Sequence, residues 1–473
     1  MQRTIWKSCW GCNMRGYSGW NYAPYRPFMT EVGDIYICRI VPGTHSIYFE
    51  WLDIGEECSV YCRKRSEGEF LCVGKTRKAE FDIVDLETET DYEFYVAAGE
   101  KKSRVRLARA GESIGTVINY LHPEDDAYLF SGRYLSSPSL VRHPEGHLLV
   151  SMDIFKSESP QNLTLLFRSD DDGKTWYYVN ELMPCFWGLL FIHKGELYML
   201  SMATEYGDLL LGKSTDGGKT FGTPVCLLRG SNGKGKNAGC HKNPQKMCYH
   251  NGRLYGSMEW GTWGNKDYGH AAMVMSINEN DDLMVPENWS FTEPVRFDAL
   301  APELEGYPTD TVTIEGNVVV TPEGKLVNIM RTTLPNQAIV LDVDTENPEN
   351  QLKFSRLMEF HANRSKFPIR YDEVSKRYYS IASTITDDEK PFARNYLTLM
   401  VSKDLVKWDI IADLYDFRDR SHLEAGVQYV QFEFEGEDII YVCRTALNNA
   451  HTYHDSNYIT FHRIKDFRKL VLE

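Results

Sequence analysis

The sequence predicts an all-β protein in which a small β-sandwich precedes a longer array of repeated antiparallel units. Three observations predict it. Helical periods are scarce, whereas short alternating apolar runs between Gly, Asn and Asp turns recur from about residue 35 to the end. The segment Ser169-Asp170-Asp171-Asp172-Gly173-Lys174-Thr175-Trp176 returns as Ser214-Thr215-Asp216-Gly217-Gly218-Lys219-Thr220-Phe221, and such self-similarity outranks local propensity as evidence for fold. Hydrophobic residues make up 42% and aromatics 13% of the 473 residues, enough apolar material for sizeable cores.

Composition also excludes partners. The 52 basic and 67 acidic residues leave a net charge of −15, and no Lys/Arg run exceeds Arg63-Lys64-Arg65, which argues against nucleic acid. No apolar stretch reaches the roughly 18 residues of a membrane span, and the first thirty residues hold no continuous apolar core of an export signal. No membrane partner is expected, and the expected location is the cytoplasm unless a leader has been removed. The 11 cysteines read as buried reduced thiols, and Cys9-x-x-Cys12 lacks a second pair for zinc. No metal and no cofactor is expected, and the sequence is silent on oligomeric state.

Residues 1–32 form an arm carrying Trp6, Trp10, Tyr17, Trp20, Tyr22, Tyr25 and Phe28 without a period. It packs on a neighbouring domain or serves as a substrate-facing lid. Residues 33–110 hold seven short strands: DIYICRIV, SIYFEWLD, CSVYCRKR, EFLCVGK, AEFDIVDL, DYEFYVAAG and SRVRLARA. That spacing suits a β-sandwich. The piece Leu86-x3-Thr90-x-Tyr92-x-Phe94-x-Val96-x-Ala98, after the strand holding Trp51, resembles the fibronectin type III domain, in which such a Tyr closes a strand corner. The resemblance implies a spacer or docking unit without chemistry of its own.

In the repeated segments the Asp and Gly build a tight turn and the aromatic plugs back between strands. Ser402-Lys403-Asp404 leading to Trp408 is a worn third copy. The motif resembles the Asp-box of the sialidase superfamily, which implies a six-bladed β-propeller over 111–473. Six hairpins supply the innermost strands: PSLVRHPEGHLLVSMD, GLLFIHKGELYMLSM, KMCYHNGRLYGSMEW, GNVVVTPEGKLVNIMR, SKFPIRYDEVSKRYYSIAS and QYVQFEFEGEDIIYVCR. Roughly 60 residues per unit accommodates four-stranded blades with long loops. Inner strands begin at the rim of a central funnel, so Arg133, Ser136, Trp187, His241, Lys242, Glu315, Asn363, Lys366, Gln428 and Tyr429 are the residues to read chemically.

The fourth hairpin carries Glu315 and Arg331 in E-x6-PEG-x6-R, an acid at the entry of the inner strand and a cation near the end of the second. This resembles the sialidase catalytic domain, where such a Glu polarises a nucleophilic Tyr and such an Arg grips the substrate carboxylate. Phe392-Ala393-Arg394-Asn395 is similar to the site of another gripping Arg, and Tyr429 at the start of the sixth inner strand to the nucleophile. A neutral Tyr suits a sugar whose anomeric carbon bears a carboxylate, because an anionic nucleophile is repelled. Arg supplies planar bidentate pairing that Lys does not. Taken singly, the same residues also fit a rim ion pair, an exposed Arg and a core Tyr.

Two departures from the family pattern stand out. Where an Arg of the carboxylate clamp is expected, the chain reads Leu135-Ser136-Ser137-Pro138, leaving Arg133, Arg142 or Arg444 to stand in. The expected acid/base Asp is missing from a loop read as 153–161, where Asp153 or Glu158 substitutes. A second cluster, His241 and Lys242 followed by Trp260, Trp263, Tyr268 and His270, suits elimination at a uronic acid with Tyr429 and Arg331. His454-Asp455 reads as a hydrogen-bonded turn. The leading expectation is a retaining exo-glycoside hydrolase acting on an acidic glycan; the alternatives are a uronate lyase and a carbohydrate-binding propeller without turnover.

Overall fold

The computed structural model describes residues 20, 33–231, 237–263, 269–300, 302–308 and 310–471. Alternating side chains along the first strands produce two faces, one buried: Ile47–Trp51 alternates strictly, and Thr90–Ala98 buries every second residue from Tyr92. Two sheets therefore pack face to face. Ile37–Pro42, Ile47–Trp51 and Glu80–Ile83 form one, and Leu71–Thr76, Cys58–Lys64 and Thr90–Ala98 with Lys101–Lys102 and Arg106–Ala110 form the other. Phe49 and Phe94 meet between them at 4.6 Å. The Tyr92 hydroxyl accepts the Glu87 N–H at 2.9 Å and closes a corner.

The sandwich core continues into Val117, Tyr120, Ala425, Leu447 and Tyr458. A buried pair reinforces this joint, with Arg106 Nε 2.7 Å from Asp125 and its Nη1 donating to the Ile37 carbonyl at 2.7 Å.

Six antiparallel sheets follow, each of four strands except the third, which has five, and together they form a β-propeller. The inner strands are Tyr134–Arg142, Phe186–His193, Gly239–His241 with Cys248–His250, Thr313–Val320, Ile369–Asp372 and Gly426–Glu435. All six expected hairpins are present. The third inner strand is split and the fifth is short, because Pro244 and Pro368 precede their continuations and lack the N–H that a ladder requires. The sixth sheet takes its outer strand from the start of the array, Thr116–Tyr120 pairing antiparallel with Tyr458–Ile464. Ring closure hides the open edge that the last blade would otherwise present.

The repeated turns share one hydrogen-bond pattern. Asp171 accepts the Thr175 N–H at 2.9 Å and its hydroxyl at 2.7 Å, while Ser169 Oγ accepts the Gly173 N–H at 2.8 Å. Asp216, Thr220, Ser214 and Gly218 repeat these contacts. A Cβ on Gly173, at φ +85°, would stand 2.2 Å from the Phe461 ring, which explains the glycine. The third copy is shortened, Ser402 Oγ receiving the Leu405 N–H at 2.9 Å.

Of the aromatic arm, Trp20 is described. It is fully buried between the first two blades, its Nε1 donating to the Pro184 carbonyl at 2.5 Å and its ring edge-on to Phe221 at 6.4 Å. Trp6, Trp10, Tyr17, Tyr22, Tyr25, Phe28, Cys9 and Cys12 lie outside the described residues.

In the sixth blade, burial lowers the His462 imidazole to about 3. The unfolded chain takes up this proton near pH 6.5 and the folded chain does not, so stability is lost as pH falls from about 6.5 toward 3. His462→Gln is expected to move the acid-unfolding midpoint, followed by circular dichroism, to lower pH; an unchanged midpoint would show that this ring does not drive acid unfolding.

Candidate active site

The inner strands lose register at the funnel. Pairing with the second strand shifts between Ser136 and Ser139, Phe186 and Leu189, Ile314 and Asn317, and Gln428 and Gln431. Within each shift one non-glycine residue is left-handed: Ser137 at φ +35°, Trp187 at +51°, Glu315 at +58° and Tyr429 at +53°. Such bulges re-aim a side chain and cost on the order of 1–3 kcal/mol each, a cost that persists where surrounding structure enforces it. Beside these entries the second strands contribute Asp153 opposite Ser136, Glu259 opposite His241, Arg331 opposite Ile314 and Arg444 opposite Gln428.

Tyr429 is the centre of a cationic cluster. Arg331 Nη1 lies 2.7 Å from Glu315 Oε2 and 3.4 Å from the Tyr429 hydroxyl. The guanidinium carbons of Arg444 and Arg394 stand 4.5 and 5.3 Å from the Tyr429 ring centroid. Arg394 donates to Gln428 Oε1, and Arg444 to the His454 carbonyl at 2.6 Å. All three arginines are buried or nearly so, and burial lowers Arg444 to about 10. Burial works to raise Glu315, but the adjacent Arg331 prevails and holds the carboxyl below its usual value. Among the described residues Glu315 is the carboxylate in direct contact with this set, while Asp455 acts on Arg444 electrostatically.

A second network adjoins the first. Glu259 accepts the Glu315 N–H on Oε1 at 2.8 Å and the His241 Nδ1–H on Oε2 at 2.6 Å. His241 lies edge-on to Trp187 at 4.6 Å and to His270 at 4.6 Å. The Tyr206 hydroxyl is 3.3 Å from His270 Nε2. Next to Tyr206, Glu205 accepts the Gln161 amide at 2.9 Å, and burial raises its carboxyl.

The structure thus brings Tyr429, Glu315, Arg331, Arg394 and Arg444 together, with Trp187 and His241 alongside. It corrects other expectations. Glu315 does not bond Tyr429 directly, because the guanidinium of Arg331 takes the carboxylate first. Asp153 is not on a loop: it lies within Leu148–Phe155, is 1% exposed, and accepts the Thr164 hydroxyl at 2.6 Å. Lys242 is buried and spends its ammonium on the Trp187 and Leu200 carbonyls at 2.9 and 3.2 Å. Arg133 pairs with Asp126, and Arg142 with Asp172 of blade 1 and Glu435 of blade 6. Glu158 is exposed at φ +66°. Asn363 spends its amide on the Leu334 and Gln337 carbonyls, and Lys366 donates to the Pro244 carbonyl at 3.2 Å. Tyr268 lies outside the described residues.

Glu205, Tyr206 and Glu259 escaped the sequence reading. A signal for Glu259 was available: it stands to His241 as Arg331 stands to Glu315, near the funnel end of the second strand of the hairpin.

No protein-family model and no curated protein matches the chain. Among solved structures it is similar to a protein of unknown function from Dyadobacter fermentans, with TM-score 0.51 and 13% identity over 75% of this chain and 98% of that one. The α-L-arabinanase of Penicillium chrysogenum complexed with arabinobiose gives 0.48 and 16% identity, covering 76% and 99%. A polysaccharide lyase, the PL25 ulvan lyase, gives 0.42 and 11% identity, covering 92% and 95%. At these identities the likeness concerns the fold alone.

Burial raises Asp153 to about 7 and lowers Lys242 to about 7. The Asp153 carboxyl binds its proton more tightly folded than unfolded, so it subtracts stability as pH rises from about 4 to 7; Lys242 adds stability only above about 7. Asp153→Asn, which mimics the protonated acid, is expected to remove this pH 4–7 decline in urea unfolding, and an unaltered pH dependence would mean that Asp153 is ionised throughout.

Proposed function

We propose that this protein is a glycoside hydrolase of sialidase-like, retaining, exo-acting type whose substrate is a carboxylate-bearing sugar. The observation that carries the reading is the gathering of Arg331, Arg394 and Arg444 on Tyr429, with Glu315 the carboxylate in direct contact with them among the described residues. Three guanidiniums gather around one directly paired carboxylate, with Asp455 acting on Arg444 electrostatically, and a substrate carboxylate offers a further anion for their planar forks. Arg444 takes the part of the clamp arginine that Ser136 does not supply.

In the proposed reaction the substrate carboxylate draws Arg331 from Glu315. Glu315 then accepts the Tyr429 proton as the phenol oxygen attacks the anomeric carbon, forming the tyrosyl–sugar bond and breaking the glycosidic bond. The departing oxygen needs a proton. We assign it to Glu205, a carboxyl raised by burial, ahead of the enclosed Asp153 and the exposed Glu158. Trp187 and His241 face the ring of the bound sugar. The sandwich, similar to a fibronectin type III domain, acts as spacer.

A second reading rests on the His241–Glu259 bond of 2.6 Å. A histidine oriented by a carboxylate is equipped to take the proton α to a uronate carboxyl, with Tyr429 serving the leaving oxygen and Arg331 neutralising the acid.

The test is release of a fluorogenic aryl group from α-ketosides of sialic acid, its deaminated form and shorter keto-acid sugars. Turnover is expected, falling by about 100-fold or more in Tyr429→Phe. Arg444→Lys is expected to raise KM by about tenfold with a smaller effect on kcat, since a point charge replaces a planar fork. Undiminished turnover in Tyr429→Phe would remove the nucleophile assignment. Ultraviolet absorbance growing from a uronate polysaccharide would favour elimination, and binding without turnover would favour a carbohydrate-binding propeller.

A further inference from the structure

The first blade's inner hairpin turns at His143-Pro144-Glu145-Gly146-His147, closed by His143 N–H to the His147 carbonyl and Gly146 N–H to the His143 carbonyl, both 2.8 Å. Blade 4 uses the same turn at Thr321-Pro322-Glu323-Gly324-Lys325, with the equivalent bonds at 2.8 and 2.9 Å. The turn itself therefore needs no histidine at either flank.

In blade 1 the two imidazoles stack at 4.4 Å and 16°. Glu145 Oε2 lies 3.7 Å from His143 Nδ1 and 3.9 Å from His147 Nδ1. His147 is 3% exposed, and its Nε2 is 3.0 Å from the Gly217 carbonyl of the neighbouring blade. A carbonyl only accepts, so the ring proton sits on Nε2 and Nδ1 is a bare lone pair. That Nδ1 is buried without a hydrogen-bond partner among the described residues. His143 Nδ1 meets the Glu145 N–H at 3.2 Å. Two electron-pair donors, His147 Nδ1 and the Glu145 carboxylate, thus stand with no side-chain donor between them, an arrangement that a cation relieves, and His143 joins them once its Nδ1 gives up the Glu145 N–H. Arg168, which acts on His147, is itself paired with Asp170 at 2.7 Å.

We propose that His143, Glu145 and His147 form a binding site for a divalent transition metal of the zinc class. Their ligand atoms all lie within 4.8 Å of one another. Tetrahedral zinc with bonds of about 2.0–2.1 Å holds its ligands about 3.3 Å apart, so the carboxylate closes by about half an ångström on each histidine, and His143 turns out of the parallel stack to aim its in-plane lone pair at the ion. Imidazole with carboxylate is a donor set for zinc, copper and nickel, and the Gly217 carbonyl supplies the outer bond that fixes a ligating histidine. Glu145 is 70% exposed, which leaves a fourth position open to water. The metal would brace the blade 1 hairpin turn, which His147 already joins to the repeated turn of blade 2 through the Gly217 carbonyl. The sequence reading expected no metal, because two histidines around a Pro-Glu-Gly turn look like any solvated hairpin.

Full-length protein is stripped with EDTA and titrated with Co²⁺ and, separately, Zn²⁺. The expected result is one equivalent bound at this site, visible d–d absorption with Co²⁺, and a raised melting temperature. Glu145→Gln, at an exposed position, is expected to weaken Co²⁺ binding at least tenfold, and the double variant His143→Gln/His147→Gln to abolish the d–d bands. No binding by the wild type, or unchanged affinity and spectrum in Glu145→Gln, overturns the proposal; the latter variant decides even where the double variant fails to fold.

Discussion

The propeller depends on one pairing. Thr116–Tyr120, the first strand of the array, adds to Tyr458–Ile464, the last. It completes the sixth sheet and ties the start of the array to its end, beside a core in which Leu140 and Val150 of the first blade pack with Val442 and Phe461 of the sixth. With it, residues far apart in the chain share a funnel: Tyr429 of the sixth blade reaches Arg331 of the fourth, and Gln431 of the sixth caps the Leu140 N–H of the first.

The bulges are the next layer. An inner strand has a free edge, and the side chain two residues beyond several bulges serves the neighbouring blade's backbone. Ser139 accepts the Leu190 N–H at 2.9 Å, and Asn317 bridges the Ile369 N–H and Phe367 carbonyl at 2.9 and 2.8 Å. The same kink that turns Glu315 or Tyr429 toward the funnel therefore sets up the bonds that hold adjacent blades in step. Strain and cohesion are two results of one local geometry, and the functional side chains are positioned by contacts the ring would need in any case.

Much of this was legible in the sequence because it is local. The Asp171 and Asp216 turns announce themselves through Ser, Gly and Thr at fixed offsets, and their bonds span at most four residues. Glu315 and Arg331 share a hairpin, so their meeting follows from strand geometry. What stayed hidden depends on other blades. Glu259 faces His241 within its own blade, a pairing the hairpin could signal, but its hold on the Glu315 N–H of the next blade is a role no window of sequence displays. Lys242 looked like a cation for substrate, yet the bulge at Trp187 turns carbonyls toward it and claims its ammonium. Asp153 looked like a loop residue because the second strand of blade 1 runs further than its alternation suggests, to Phe155.

The closing strand lies only a few residues beyond the last strand of the sandwich, Arg106–Ala110, and its partner is almost the last segment of the chain. At about 5–20 residues per second, a ribosome needs roughly 20–70 seconds between making the two. For all that time an unpaired β-edge waits in the open. The sandwich core includes Val117 and Tyr120 of that strand, so the strand belongs to both units. Its ladder completes the sixth blade while its side chains complete the sandwich, so a break in either unit is felt in the other.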